Sequence, residues 1–140
     1  MTLILALVNQ ENSVLASDRR LVGPKGLQED ESNKAGYLIC RDARLGFAFT
    51  GLAEWAGFRT NYWILEALME AAKPDYRMGP LLLRFREIAS KKFSSFKGLS
   101  PRDKRLSVIL AGYSYEDPTA RSYFWRISNC EVGEQGAQLP

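Results

Sequence analysis

The chain has 140 residues, 46% of them hydrophobic and 25% charged, with a net charge of +3, the balance of a single globular domain able to bury a core. No run approaches the ~20 apolar residues of a bilayer span, and no basic segment precedes the apolar opening as it would in a secretory leader; a cytoplasmic protein without membrane contact is expected. With no histidine, Ser-His and Cys-His nucleophiles and His-containing metal sites are excluded, and Cys40 and Cys130 have neither metal-ligand spacing nor the density of a disulfide scaffold, so neither cofactor nor metal is expected.

In chain order, residues 2–8, TLILALV, form a continuous apolar run of strand formers, followed by the polar turn NQEN and a second strand, SVLASD, over residues 13–18. This is a hairpin, and its first strand is apolar enough to be covered on both faces. Residues 21–32, with GPKG and QEDES, read as an irregular exposed connection. Residues 34–40 and 45–50 form a second hairpin around RDAR. LGFAFTG then ends at Gly51, where a helix can begin.

A first helix is expected over residues 52–72, burying Trp55, Phe58, Tyr62, Leu65, Leu68, Met69 and Ala72 at steps of three or four. KPDYRMGP breaks it. A second helix over about residues 81–96 buries Leu82, Phe85, Ile88, Ala89, Phe93 and Phe96 and ends at KGLSP. Two strand patterns follow, RLSVILAGYSY and ARSYFWRIS, in the second of which Phe124 is read as a core residue. The tail over residues 130–140 has few large apolar residues and reads as loose. Two successive helices between hairpins cannot serve as parallel crossovers, so a single α+β domain with antiparallel sheets is expected.

The basic excess is local. Residues 84–105 hold eight lysines and arginines against Glu87 and Asp103, which reads as the solvated face of a core helix and a charged turn rather than a phosphate-binding stripe. Nucleic acid is therefore not an expected partner. GPKG lacks phosphate-loop glycine spacing, and Glu66 and Glu70 belong to a polar helix face.

Thr2 carries more chemistry. Methionine aminopeptidases remove Met1 before a small residue, and the exposed threonine then holds a hydroxyl beside an α-amino group whose ordinary pKa is about 7.7 to 8.0. Nucleophile and base become one residue, a known route to acyl transfer without histidine. Asp18 and Lys34 lie 16 and 32 residues beyond Thr2, where antiparallel pairing can bring both to the start of the first strand. There the lysine would favour the alkoxide. By themselves the two residues equally make a surface ion pair worth under about 1 kcal/mol.

TLILALV, SVLASDRR with its small-x-Asp-x-Arg pattern, the NK before the third strand, and FAFTGLAEW resemble the N-terminal half of the proteasome β-subunit and HslV family, the threonine-type N-terminal-nucleophile (Ntn) hydrolases. The spacings from Thr2 to Asp18, Arg20 and Lys34 match that family without a gap. The resemblance implies an αββα sandwich of antiparallel sheets and a catalytic set in this chain: Thr2 as nucleophile, Lys34 as electrostatic activator, Asp18 as its carboxylate partner, Arg20 as support, and the Gly51 N–H as oxyanion donor. It further implies a peptide or unfolded-protein substrate, a homo-oligomeric ring and an ATP-dependent unfoldase. Met1 directly before Thr2 resembles the HslV style of maturation. The chain departs from the family after the last hairpin: the C-terminal helical layer and the serine and acidic residue that complete the family's site have no counterpart, so a C-terminally shortened domain is expected. Two readings follow, a threonine peptidase or a non-catalytic proteasome-like subunit that keeps the fold for assembly.

Overall fold

The computed structural model describes residues 3–19, 21–23, 26–29, 32–116 and 118–129, with only the backbone path for 21–23 and 26–29. The expected loose tail, 130–140, lies outside these residues. In chain order come β1 (Ile4–Val8), β2 (Ser13–Ser17), β3 (Leu21–Gly23), β4 (Gly26–Glu29), β5 (Ala35–Ile39), β6 (Ala43–Gly51), β7 (Glu54–Trp55), β8 (Phe58–Arg59), α1 (Thr60–Ala72), α2 (Met78–Ser94), β9 (Leu106–Ser114) and β10 (Arg121–Ser128). The fold is α+β, and every strand pair described is antiparallel.

A four-stranded sheet, ordered β10-β9-β6-β5, is the middle layer. α1 and α2 cover one face, and the β1–β2 hairpin lies over β6 and β9 on the other. Alternation along the strands separates the two faces: Leu45, Phe47 and Phe49 of β6 and Leu106, Val108 and Leu110 of β9 join Ile64, Leu81, Leu82 and Phe85 in the buried core. Their intervening neighbours include Gly46, Ala48 and Ala111, small residues that let the hairpin approach; Leu15 of β2 sits against Gly46. Two further glycines sit toward opposite ends of the β6–β9 ladder, Gly51 in its last pair and Gly112 in the third pair from the other end. A Cβ on Gly51 would stand 2.1 Å from the Arg105 carbonyl oxygen, and one on Gly112 would stand 2.1 Å from that of Arg44.

Local chemistry sets the turns. Asn9 Oδ1 accepts the N–H groups of Glu11 and Asn12 at 2.8 and 2.7 Å, closing the β1–β2 turn as Asx turns do. The Cys40 N–H donates to the Ala43 carbonyl at 2.9 Å across the β5–β6 turn. That turn also places Asp42 so that its Oδ1 accepts the Met78 N–H at 2.8 Å, capping α2 from 36 residues away. Arg84 donates from Nε to the Ala71 carbonyl at 2.6 Å and from its guanidinium to the Asp75 carbonyl, satisfying acceptors that the end of α1 would otherwise leave open.

The structure corrects several expectations. Residues 21–32, read as irregular, contain the β3–β4 hairpin. The first helix begins at Thr60 rather than residue 52, because residues 54–59 turn back as β7–β8 through Ala56 (φ 46°) and Gly57 (φ 82°), the paired left-handed conformation of a tight hairpin turn. Thr60 secures the junction: its N–H donates to the Ala53 carbonyl at 2.9 Å and its hydroxyl to that of Leu52.

Trp55 and Phe58 therefore do not set the helix phase, and the buried stripe of α1 is Ile64, Ala67, Leu68 and Ala71. Of the expected face only Leu68 is fully buried; Tyr62, Leu65 and Met69 are exposed. Finally, Phe124 is 54% exposed. It pairs with Ala111 on the hairpin side, while Tyr123, Trp125 and Ile127 point into the helical core. α2 also starts earlier than expected, at Met78, since Pro80 in the first turn lacks an N–H only where helices have no partner for one.

The expectation that β1 is covered on both faces is met on one. Ile4, Ala6 and Val8 are partly covered, whereas Leu3, Leu5, Leu7 and the cross-strand Val14 are exposed. No helix among the described residues is long and apolar enough to cross a membrane.

Candidate functional site

The β1–β2 ladder aligns the end of β2 with the start of β1, pairing Ile4 with Ser17. One residue beyond that pair, the Asp18 N–H donates to the Leu3 carbonyl at 3.0 Å. Asp18 is thereby tied by its backbone to the residue that follows Thr2 in the chain. Lys34 arrives from a different element, just ahead of β5, where its carbonyl accepts the Phe49 N–H of β6 at 3.1 Å. The preceding Asn33 closes a local turn through Oδ1 onto the Ala35 N–H, 3.1 Å.

Two hairpins thus deliver opposite charges to one point. Lys34 Nζ donates to Asp18 Oδ1 at 3.0 Å, with the lysine side chain only 2% exposed and the carboxylate 32%. An ammonium so buried must be paired. The part-exposed carboxylate of Asp18 keeps the pair in touch with solvent, while the ammonium is buried. Such a charge favours an alkoxide or oxyanion placed beside it.

Gly51 ends β6 two residues beyond Phe49, about 7 Å further along the strand. Its φ of 118° lies where side-chain-bearing residues are strained, and the Arg105 carbonyl leaves no room for a Cβ. The next amide, Leu52 N–H, donates to that carbonyl at 2.7 Å. Of the five residues expected from sequence, Asp18 and Lys34 meet, Gly51 stands on the strand adjoining Lys34, and Thr2 and Arg20 lie outside the described residues.

Ser32 is a group that sequence reasoning missed. It is buried, and its Oγ has no hydrogen-bond partner among the described residues. Its position two before Lys34, the period that puts extended residues on one face, was the available signal. Asp42 was also missed: in the RDAR turn of the second hairpin, it is a buried carboxylate that caps α2 and leaves Oδ2 without a partner among the described residues.

Cys40 is buried, and desolvation first, then the neighbouring Asp42 charge, pushes its thiol up from 9.0 to about 11, with Arg44 opposing. It is therefore a protonated core thiol rather than a nucleophile. Cys130 lies outside the described residues. Glu70 pairs with Lys73 on the exposed face of α1, as a solvated helix face does. Among the described residues no three His, Cys, Asp or Glu side chains are grouped to hold a metal ion.

No family model, curated protein or solved structure matches the chain.

Proposed function

We propose that the protein is a threonine-type Ntn hydrolase resembling a proteasome β-subunit or HslV, cleaving peptide bonds through Thr2 after removal of Met1. The observation that carries this reading is the buried Lys34 ammonium, held 3.0 Å from Asp18, with the Asp18 amide bonded to the residue after Thr2. A lysine sequestered from water beside a carboxylate is a costly arrangement for stability alone. It is the arrangement an N-terminal hydroxyl nucleophile needs when no histidine is present.

In the proposed reaction the Thr2 amine takes the hydroxyl proton as Oγ attacks the scissile carbonyl carbon. The Lys34 charge stabilises the developing alkoxide, and a backbone N–H at Gly51 receives the oxyanion. Collapse breaks the C–N bond, and the amine's proton leaves with the departing amino group, giving a Thr2 ester. Water, deprotonated by the same amine, attacks the ester and restores the hydroxyl. Arg20 supports the set, and the αββα sandwich belongs to this reading.

A second reading, a non-catalytic proteasome-like subunit, is favoured by one observation. The outer face of β1–β2 presents Leu3, Leu5, Leu7 and Val14 together, a patch of the kind that marks association. A homo-oligomeric ring working with an ATP-dependent unfoldase accommodates either reading.

Intact mass and covalent labelling separate them. The peptidase reading expects loss of Met1 and adduct formation with an epoxyketone or boronate peptide, abolished in Thr2→Ala and strongly reduced in Lys34→Ala. A retained Met1, or labelling that persists in Thr2→Ala, overturns it.

A further inference from the structure

Away from the Asp18 and Lys34 pair, α2 and the adjoining ends of β9 and β10 enclose a cavity of about 370 Å³, within the size range of small-molecule sites. Its wall is apolar where Phe85, Phe93, Val108 and Ile127 line it, and Arg86 and Lys104 stand among its lining residues. These two cations come from opposite ends of the basic segment 84–105, eighteen positions apart in the chain, and the fold brings them to one cavity. Neither forms an ion pair among the described residues. The nearby carboxylate of Asp103 is engaged by the Ser100 hydroxyl at 2.6 Å.

Arg86 is exposed and Lys104 half-buried, so the two cations stand at the rim of an apolar cavity, one from a helix and one from the loop that follows. An apolar interior with positive charge on its lining, unpaired among the described residues, is complementary to a ligand of one chemical class: a hydrophobic tail ending in a single anionic group. We infer that this cavity binds an amphipathic monocarboxylate, a medium-chain fatty acid or an arylalkanoic acid, with the tail against Ala89, Pro101 and Ile127 and the carboxylate between Arg86 and Lys104. The site shares no residue with the proposed catalytic set, so its occupancy stands or falls independently of peptidase activity.

Titration calorimetry with decanoate, below its micelle concentration, tests the inference on the full chain. One equivalent binds; decanol, with the same tail and no charge, binds at least tenfold more weakly. Arg86→Gln combined with Lys104→Gln weakens decanoate about tenfold while leaving decanol unchanged. Both changes lie outside the core, and circular dichroism verifies the fold. Raising ionic strength on the unmodified chain weakens decanoate and spares decanol, an arm that needs no variant. Ser90→Trp, on the exposed helical wall of the cavity, abolishes binding of both ligands without lowering the melting temperature. Equal affinity for decanoate and decanol overturns the inference. So does decanoate binding that survives Ser90→Trp, which would place it on the exposed leucines of β1 instead.

Discussion

Removing the carboxylate of Asp18 should cost far more than removing the ammonium of Lys34, although both changes break the same contact. At 3.0 Å and an effective dielectric of 20 the gross attraction is roughly 5 kcal/mol, largely offset by the cost of burying the lysine. In Asp18→Ala the cost of burial remains while the carboxylate that offsets most of it is gone: a 2% exposed ammonium keeps only its lesser contacts. Breaking a fully buried pair this way costs about 3–5 kcal/mol; with Asp18 one-third exposed we expect about 2–4. Lys34→Met keeps the stem's packing and leaves a carboxylate that water already reaches, costing about 1 kcal/mol or less. In Lys34→Met the second change, Asp18→Ala, should then add little. Urea unfolding measures this directly, since a chain of this length is within the two-state range and its midpoint shifts in proportion to the lost stability. With a slope of about 2 kcal/mol/M, Asp18→Ala moves the midpoint by about 1–2 M and Lys34→Met by under about 0.5 M. A larger shift for Lys34→Met than for Asp18→Ala would refute the account of Lys34 as a charge held at a cost by its partner.

Gly51→Ala should fail to fold or lose more than about 3 kcal/mol, since it combines a strained backbone with a collision against Arg105; soluble yield and melting temperature report it. Asp42→Ala removes the cap of α2 and should cost about 1–2 kcal/mol, seen as a lower urea midpoint with the helical signal retained. Cys40 gives a pH signature. Its thiol is raised from 9.0 to about 11 in the folded chain, so its contribution is complete below pH 9 and is lost as pH climbs from 9 to 11, because the unfolded thiolate forms first. The loss is about 2–3 kcal/mol across that window, and Cys40→Ala should flatten that part of the stability profile; an unchanged slope would refute it.

The β1–β2, β5–β6 and β9–β10 hairpins were legible because strand alternation and polar turns are local signals, whereas β3–β4 and β7–β8 were not. The same locality failed in α1. Its sequence carries two apolar stripes, Ile64 with Ala67, Leu68 and Ala71, and Tyr62 with Leu65 and Met69, and periodicity alone cannot choose between them. Trp55 and Phe58 favoured the wrong one only while counted as helical, and the turn that removes them needs Ala56 at positive φ, for which alanine gives no sequence signal. Phe124 was misplaced for a related reason: three consecutive aromatics alternate correctly in either phase, and only the pairing with β9 selects one. The Asp18 and Lys34 contact was expected from strand pairing, but it joins the ends of β2 and β5 from two different sheets, so packing of one hairpin on the other makes it. Ser32 was hinted at only by its place two before Lys34, and nothing local ties Asp42 to an amide 36 residues away.

The glycines toward the two ends of the β6–β9 ladder bear on how the chain finds this arrangement. β6 and β9 must meet across both helices, the kind of distant pairing that slows folding and invites slipped alternatives. A slip by two residues would keep every side chain on its proper face and escape any check by hydrophobicity. It would also carry a neighbour of Gly51 or Gly112 into a position where a carbonyl oxygen stands 2.1 Å from the nearest Cβ. Because one glycine lies on each strand, a slide in either direction meets an obstruction. The ladder therefore works as a keyed joint, admitting one alignment of the strand that carries Gly51 and, through it, of the strand led by Lys34.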